Sequence, residues 1–377
     1  MISKLSDLCF FADGRVAVAD LDLDSYISTE NMLPNKEGIT RSSGLPTVSQ
    51  TQAYQVDDVL VSNIRPYFRK IWFADRDGGC SNDVLVLRAK ETCNPGFLYY
   101  LLSDNNFFDY ATATGKGTKM PRGDKGAIMR YAVPDVPFDN QIEIASTLSV
   151  LDAQVTLNKK INHHLEQMAQ AIFEQSFACC RNIEIPIGEI IDVRDGTHDS
   201  PKPVKAGFPL VTSKHLLPYG VDIVSPNRIS KADYKKINER SKVDTHDILI
   251  SMIGTIGLIS LVIEKNISFA IKNVGLFKTS QKEDWVYFVL CHLKSPAIRQ
   301  YIDMRLAGST QKYISLGELR QIPVPKPTDE ELQEFNSTIR PIFEEIAVRV
   351  EENRHLAEMR DTLLPRLMSG ELSIVNI

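Results

Sequence analysis

From Asp139 to about Phe177 the chain sets Leu148, Leu151, Val155, Asn158, Asn162, Leu165, Ala169 and Ile172 at steps alternating between three and four residues. That alternation keeps one stripe on one face of the helical spiral and is the a/d seam of a coiled-coil helix. A second seam runs through Leu332, Phe335, Ile339, Ile342, Ile346, Arg349, Asn353, Leu356, Arg360, Leu363 and Leu367. Each seam follows a non-periodic stretch of similar length. The chain therefore reads as a duplicated object: a first globule at 1–138, a central helix at 139–181, a second globule at 182–327, and a C-terminal helix with its tail at 328–377.

The globules repeat one another at an offset drifting from about 182 to about 191 residues, the sign of an internal duplication. KLSDLCFFADG at 4–14 answers PIGEIIDVRDG at 186–196, and DVLVSNI at 58–64 answers DILISMI at 247–253. DVLVLR at 83–88 answers NVGLFK at 273–278, FLYYLLSDNNFF at 97–108 answers WVYFVLCHLKSPAI at 285–298, and YAVP at 131–134 answers IPVP at 322–325. The short apolar runs read as strands at 58–63, 71–73 and 83–88, and 96–109 reads as one helix. Between the matches the copies diverge: DGRVAVADLDLD stands in the first where DGTHDSPKPVKAG stands in the second. Variable loops on a repeated frame suit two different specificities, and neutral drift produces the same pattern.

Neither seam makes a membrane span, since no stretch approaches eighteen uninterrupted apolar residues. The N-terminus acquires acids too early for a secretory signal. Six cysteines without a C-x-x-C pair read as reduced thiols, so a soluble, cytoplasmic protein is expected. The formal net charge of −5 is unevenly placed. The excess acid lies on the helical stretches and the two globules together are net positive, so the whole-chain sum neither argues for nor excludes a polyanionic partner.

Local signals fix the ends of the helices. VPDVPF at 133–138 stops the first globule, with Asp139 placed to cap the central helix, and Thr328 opens a capping box with Glu331. Ser369-Gly370 reads as a C-terminal cap, and Pro341 predicts a kink. Between helices of about forty residues, ~60 Å each, an antiparallel pairing would put the globules at opposite ends of a bar. The seam asparagines Asn158, Asn162 and Asn353 would pin its register, because polar a/d residues cost stability where they are misaligned. A slip of one heptad would move the globules by ~10 Å, roughly three base pairs of duplex. The competing reading makes these ordinary bundle helices with solvent-facing asparagines. Two heads at fixed separation suit duplex DNA carrying a split site.

Layout and local signatures together resemble the specificity subunit of type I restriction-modification systems. The signatures are LSVLDAQVTLNKKINHHLEQMAQAIFEQSF at 148–177 and LAEMRDTLLPRLMSGEL at 356–372, and the layout covers essentially the whole chain. The resemblance implies an α+β fold: two tandem α/β target-recognition domains joined by two long antiparallel coiled-coil helices in a pseudo-two-fold repeat. Each domain would read one half of a bipartite double-stranded DNA site. The helices would set the gap and dock two modification (methyltransferase) subunits carrying S-adenosylmethionine for adenine methylation. Restriction subunits driven by ATP with Mg would join, and no cofactor is expected on this chain.

The chain's own motifs agree with a non-catalytic role. It has no Asn/Asp-Pro-Pro-aromatic clamp, no GxxxxGK[ST] loop and no Cys/His spacing for zinc. The adjacent His163 and His164 read as surface residues. Candidate DNA contacts in the first head are Arg65 and the Gly-rich loop at 115–126, with Lys116, Lys119, Arg122 and Lys125. In the second they are His198, Lys202, Lys205, Lys214, and Gln311 and Lys312 of the GSTQK segment at 308–312. Lysines would hold phosphate, Arg65 or Arg122 would suit a guanine, and Gln311 an adenine. Any of these cations is also an ordinary solvated side chain on the bland reading. The rival function is a coiled-coil protein-binding scaffold without a DNA role.

Overall fold

The computed structural model describes residues 2–177, 184–308, 311–368 and 371–372. Two 40-residue helices, Phe138–Phe177 and Asp329–Met368, follow the two globular stretches. The chain divides into two compact units, Met1–Thr156 with Asn353–Ile377, and Leu157–Glu352.

In the first unit the strands Cys9–Phe11, Val84–Ala89, Val59–Ser62 and Ile71–Phe73 lie in that order in one antiparallel sheet. Successive side chains of a strand face opposite ways, so each strand feeds two cores. Val59, Val61, Ile71, Leu85 and Leu87 join the helices Pro95–Ser103 and Asn105–Ala113 in one cluster. Leu60, Trp72, Val84 and Val86 meet Ile27, Tyr54 and Cys80 in another. The latter three belong to a second sheet of Arg15–Ala17, Gln50–Tyr54, Gly78–Cys80 and Tyr26–Ile27, whose last pairing is parallel. Strands buried on both faces read as unbroken apolar runs, which is why VLVL marks them.

The second unit repeats this sheet with the same strand order: Val193–Asp195, Val274–Phe277, Ile248–Ser251, Ile259–Leu261. Ile248, Ile250 and Phe277 face the helices Val286–Lys294 and Pro296–Met304. Leu249, Val274 and Leu276 face Val211 and Ile271 of a smaller sheet. That smaller sheet gains the helix Lys231–Ser241 beside it, where the first copy has more strand. A two-stranded ribbon stands at the foot of the long helix in each copy, Ile2–Lys4 with Ala132–Pro134 and Glu184–Pro186 with Pro323–Pro325.

Two local expectations change. The single helix expected over 96–109 is two, because the Asp104 carboxylate accepts the Asn106 N–H at 2.9 Å and starts a new helix. Ser295 does the same in the second copy by accepting the Ile298 N–H. Asp139 does not cap the central helix: it lies in the first turn, where its charge favours the positive helix end. The helix Asp329–Met368 is continuous through the exposed Pro341. The capping box is present, with the Thr328 N–H donating to Glu331 at 2.7 Å and the Glu331 N–H to Thr328 Oγ1 at 3.2 Å. Ser369 and Gly370, and likewise Cys179 and Cys180, lie outside the described residues. Cys9, Cys80, Cys93 and Cys291 are buried free thiols, and burial pushes each up to about 12.

The same buried ion pair recurs in both copies. Asp58, 1% exposed, takes Arg88 in two bonds of 2.8 and 2.7 Å. Asp247, fully buried, takes the ammonium of Lys278 at 2.5 Å. Each carboxylate also accepts the N–H three residues before it, Gln55 or Asp244. Removing one partner of a buried pair strands the other charge, at about 3–5 kcal/mol. Asp247→Ala should lower the unfolding free energy by that much, seen as an earlier urea midpoint; a shift below ~1 kcal/mol would show the pair to be dispensable.

Candidate nucleic-acid interface

In the first copy, the turn joining strands Val59–Ser62 and Ile71–Phe73 is bounded by two left-handed arginines, Arg65 at φ 50° and Arg69 at φ 53°. A side chain in that conformation costs about 1–2 kcal/mol. The Arg65 N–H donates to the Pro121 carbonyl at 2.8 Å, and Ile64 bridges to Arg122, so the turn is tied to the basic loop. That loop is closed at its root by Lys116 and Arg122, which exchange backbone bonds of 2.8 and 2.9 Å.

Its cations are not equally available. Lys116 is paired with Asp124, Arg122 with Asp83 at 2.9 Å, and the Lys125 ammonium lies 5.5 Å from the centre of the Phe11 ring. The Asp124 carboxyl is held below its usual range by Lys116 and by the Ala127 N–H. Lys119 and Arg65 make no ion pair among the described residues. Tyr67, Phe68 and Met120 are large apolar side chains left exposed on the turn and the loop. Sequence reasoning missed these three and Arg69, because nothing in RPYFR announces which side chains a short turn leaves in solvent.

The second copy builds the same frame. Ala307 and Tyr313 exchange two backbone bonds of 2.9 Å, and Ile253 bridges to Tyr313. The two closing residues thus stand where Lys116 and Arg122 close the basic loop, and Gly308 is left-handed where Gly117 is. Gln311 and Lys312 are exposed; Ser309 and Thr310 lie outside the described residues. The turn at 254–257 is bounded by Gly254 and Gly257, both at φ 81°.

The other second-head candidates stand on separate loops. Lys202 and Lys205 are exposed between residues 200 and 206, and Lys214 is exposed in the Ser213–His215 turn. His198 is fixed: its ring nitrogens meet Asn273 Oδ1 at 2.7 Å and Asp195 Oδ2 at 2.9 Å, and Asp195 also holds Arg240. Beside it opens a cleft of about 400 Å³ whose walls include Asp195, Asp199, Asp233, Lys236 and Arg240. With three carboxylates against the two cations Lys236 and Arg240, the walls carry a net negative charge that disfavours a phosphate. Among the described residues no group of three or more His, Cys, Asp or Glu is placed to hold a metal.

The model of the type I restriction modification DNA specificity domain matches the chain twice, over residues 2–167 and 185–354. The chain belongs to this family of specificity subunits. A specificity subunit is the non-catalytic component of a type I restriction-modification system. The MjaIX specificity subunit of Methanocaldococcus jannaschii is 24% identical over 306 residues, 74% of this chain and 69% of that protein. The HindI specificity subunit of Haemophilus influenzae is 23% identical over 436 residues, covering 92% and 94%. In fold, the S subunit of M. genitalium matches 98% of this chain and 96% of its own, with a TM-score of 0.51 at 17% identity.

The long helices of this specificity subunit pair in opposite directions within each unit. In the second, Asn158 is fully buried; its amide donates to Glu352 at 2.9 Å and its carbonyl accepts from Arg349 at 3.0 Å. Asn162, 8% exposed, reaches the Ile346 carbonyl at 3.5 Å, and further along Phe177 packs edge-on against Phe335. In the first, Arg360 meets Asp152 at 2.7 Å, and Leu148, Leu364 and Leu367 share one apolar cluster. Burial and the Asp152 carboxylate push the Tyr100 hydroxyl well above its usual range, so it stays a donor to Asp152 at 2.8 Å. Asn353 is half-buried, and His163 and His164 are exposed. Asn158 therefore sits in the seam rather than in solvent. Asn158→Ala should cost about 1–3 kcal/mol by leaving Arg349 short of its acceptor, measured as a lower thermal midpoint; an unchanged midpoint would remove Asn158 as a determinant of the seam.

Proposed function

We propose that the chain binds double-stranded DNA at a bipartite site, each copy acting as a target-recognition domain for one half. The two long helices set the spacing, with Asn158, Asn162 and Asn353 fixing their register, and dock two modification subunits. S-adenosylmethionine belongs on those subunits; ATP and Mg belong on restriction subunits that complete the assembly in the cytoplasm. The observation that carries this reading is that both copies share a main sheet of one strand order and a buried ion pair, while their loops differ in residues, 115–126 against 308–312 and 65–69 against 254–257. A constant frame presenting different side chains is what two unlike half-sites require. In support stands the family match, which falls on both copies.

Two experiments test it. A cell expressing the chain with its modification partner should carry adenine methylation at a two-part motif with a fixed gap, seen by sequencing native DNA. A single uninterrupted motif, or none, would defeat the bipartite reading. Second, neutralising Lys116, Lys119, Arg122 and Lys125 together should flatten the salt dependence of DNA binding by the complex, by up to ~0.9 in logarithmic slope for each phosphate that the loop no longer neutralises. Lys119 should account for the largest single share, because Lys116 and Arg122 already face acids. An unaltered slope would take the loop out of the interface.

A further inference from the structure

The two copies are internal controls for one another at the turn that follows the central strand of each main sheet. The second copy closes it with Gly254 and Gly257, both left-handed, and the main sheet around it has the same strand order. The second turn is one residue shorter, running from Gly254 to Gly257 against Arg65 to Arg69, yet both are bounded by left-handed positions, a backbone that glycine takes without steric cost. The first copy nevertheless places arginines at both left-handed positions, against the steric preference of any residue with a Cβ. Strain of this kind persists where the side chain has a use.

Arg65 differs from Arg69 and Arg122, and from Lys116, in one respect that Lys119 on the loop shares among the described residues. Lys116, Arg122 and Arg69 have acid partners in Asp124, Asp83 and Asp109, the last at 3.7 Å. Arg65 has none among the described residues, and its Nε is buried without a hydrogen-bond partner. It is half-buried, and its backbone is held by the Pro121 carbonyl on one side and by the Phe68 N–H, which donates to the Arg65 carbonyl at 2.9 Å, on the other. A guanidinium on a fixed backbone, beside a loop suited to phosphate, with its donors uncommitted, matches the paired acceptors O6 and N7 of guanine.

We propose that Arg65 is a specificity-determining residue of the first copy, reading a guanine in its half-site, and that the second copy has no counterpart at Gly254. Two consequences are that the half-sites are read from non-equivalent positions and that Arg122, engaged by Asp83, is not the base-reading arginine. The inference rests on the DNA-binding function proposed above.

The test uses the full complex with modification subunits and a duplex library randomised across both half-sites. Wild type, Arg65→Gly and Arg65→Lys are each selected for bound DNA and sequenced. Glycine takes the left-handed backbone of Arg65 without steric cost, so Arg65→Gly should melt no lower than wild type. Both variants should lose preference at one G·C pair of one half-site and keep the other half intact, with affinity for the wild-type sequence falling about 10- to 100-fold. Lysine should not rescue, because a point charge lacks the planar fork. If wild type selects a two-part motif and Arg65→Gly selects the same one, this inference is overturned while the general function stands. Full restoration by Arg65→Lys would make Arg65 a phosphate anchor and also overturn it. If wild type selects nothing, the DNA reading itself falls, and this one with it.

Discussion

A carboxylate with almost no exposed surface stands at the head of the central strand in each copy, locked to a cation carried by the neighbouring strand. Asp58 with Arg88, and Asp247 with Lys278, tie those two strands at one register and bind the turn before them through the Gln55 or Asp244 N–H. Strands apolar on both faces have little else to fix their alignment, since a slip exchanges one apolar face for another. A buried charge that tolerates only one partner position removes that freedom. Register then decides which side chains reach the helices and which the second sheet, and from there where the turns and loops emerge.

Arginine in one copy and lysine in the other meet that demand differently. Arg88 grips Asp58 with two parallel bonds. Lys278, a point charge 3% exposed, reaches Asp244 at 2.7 Å as well as Asp247, recruiting a second carboxylate where the fork is missing. Desolvation opposes the charge of Asp244 there, yet its bonds to Lys242 and Lys278 prevail and hold it below the ordinary carboxylate range. The frame is thus repeated as a physical solution and not only as a string of letters.

Much of this was open to reading in the letters themselves. The seams showed because spacing alone places a side chain on a helix face, and the two-sided strands showed because VLVL and ILI runs have few other uses. Asp58 and Asp247 lay inside the matched DVLVSN and DILISM segments, although their burial could not be read there. The second sheet stayed hidden because Gln50–Tyr54 and Gly78–Cys80 are short and lack an apolar rhythm. Counting cations overstated the basic loop, since Asp83 is distant in sequence from Arg122 and nothing local pairs them. The left-handed arginines carry no signature of their own; only glycines at the matching turn of the second copy, Gly254 and Gly257, betray them.

The unequal turns also bias how this protein can change over generations. A left-handed position already occupied by a side chain can exchange arginine for asparagine or lysine with little further steric cost, whereas any departure from Gly254 or Gly257 begins with a penalty. At this turn, a change of side chain is therefore easier to accept in the amino-terminal half than in the carboxy-terminal one.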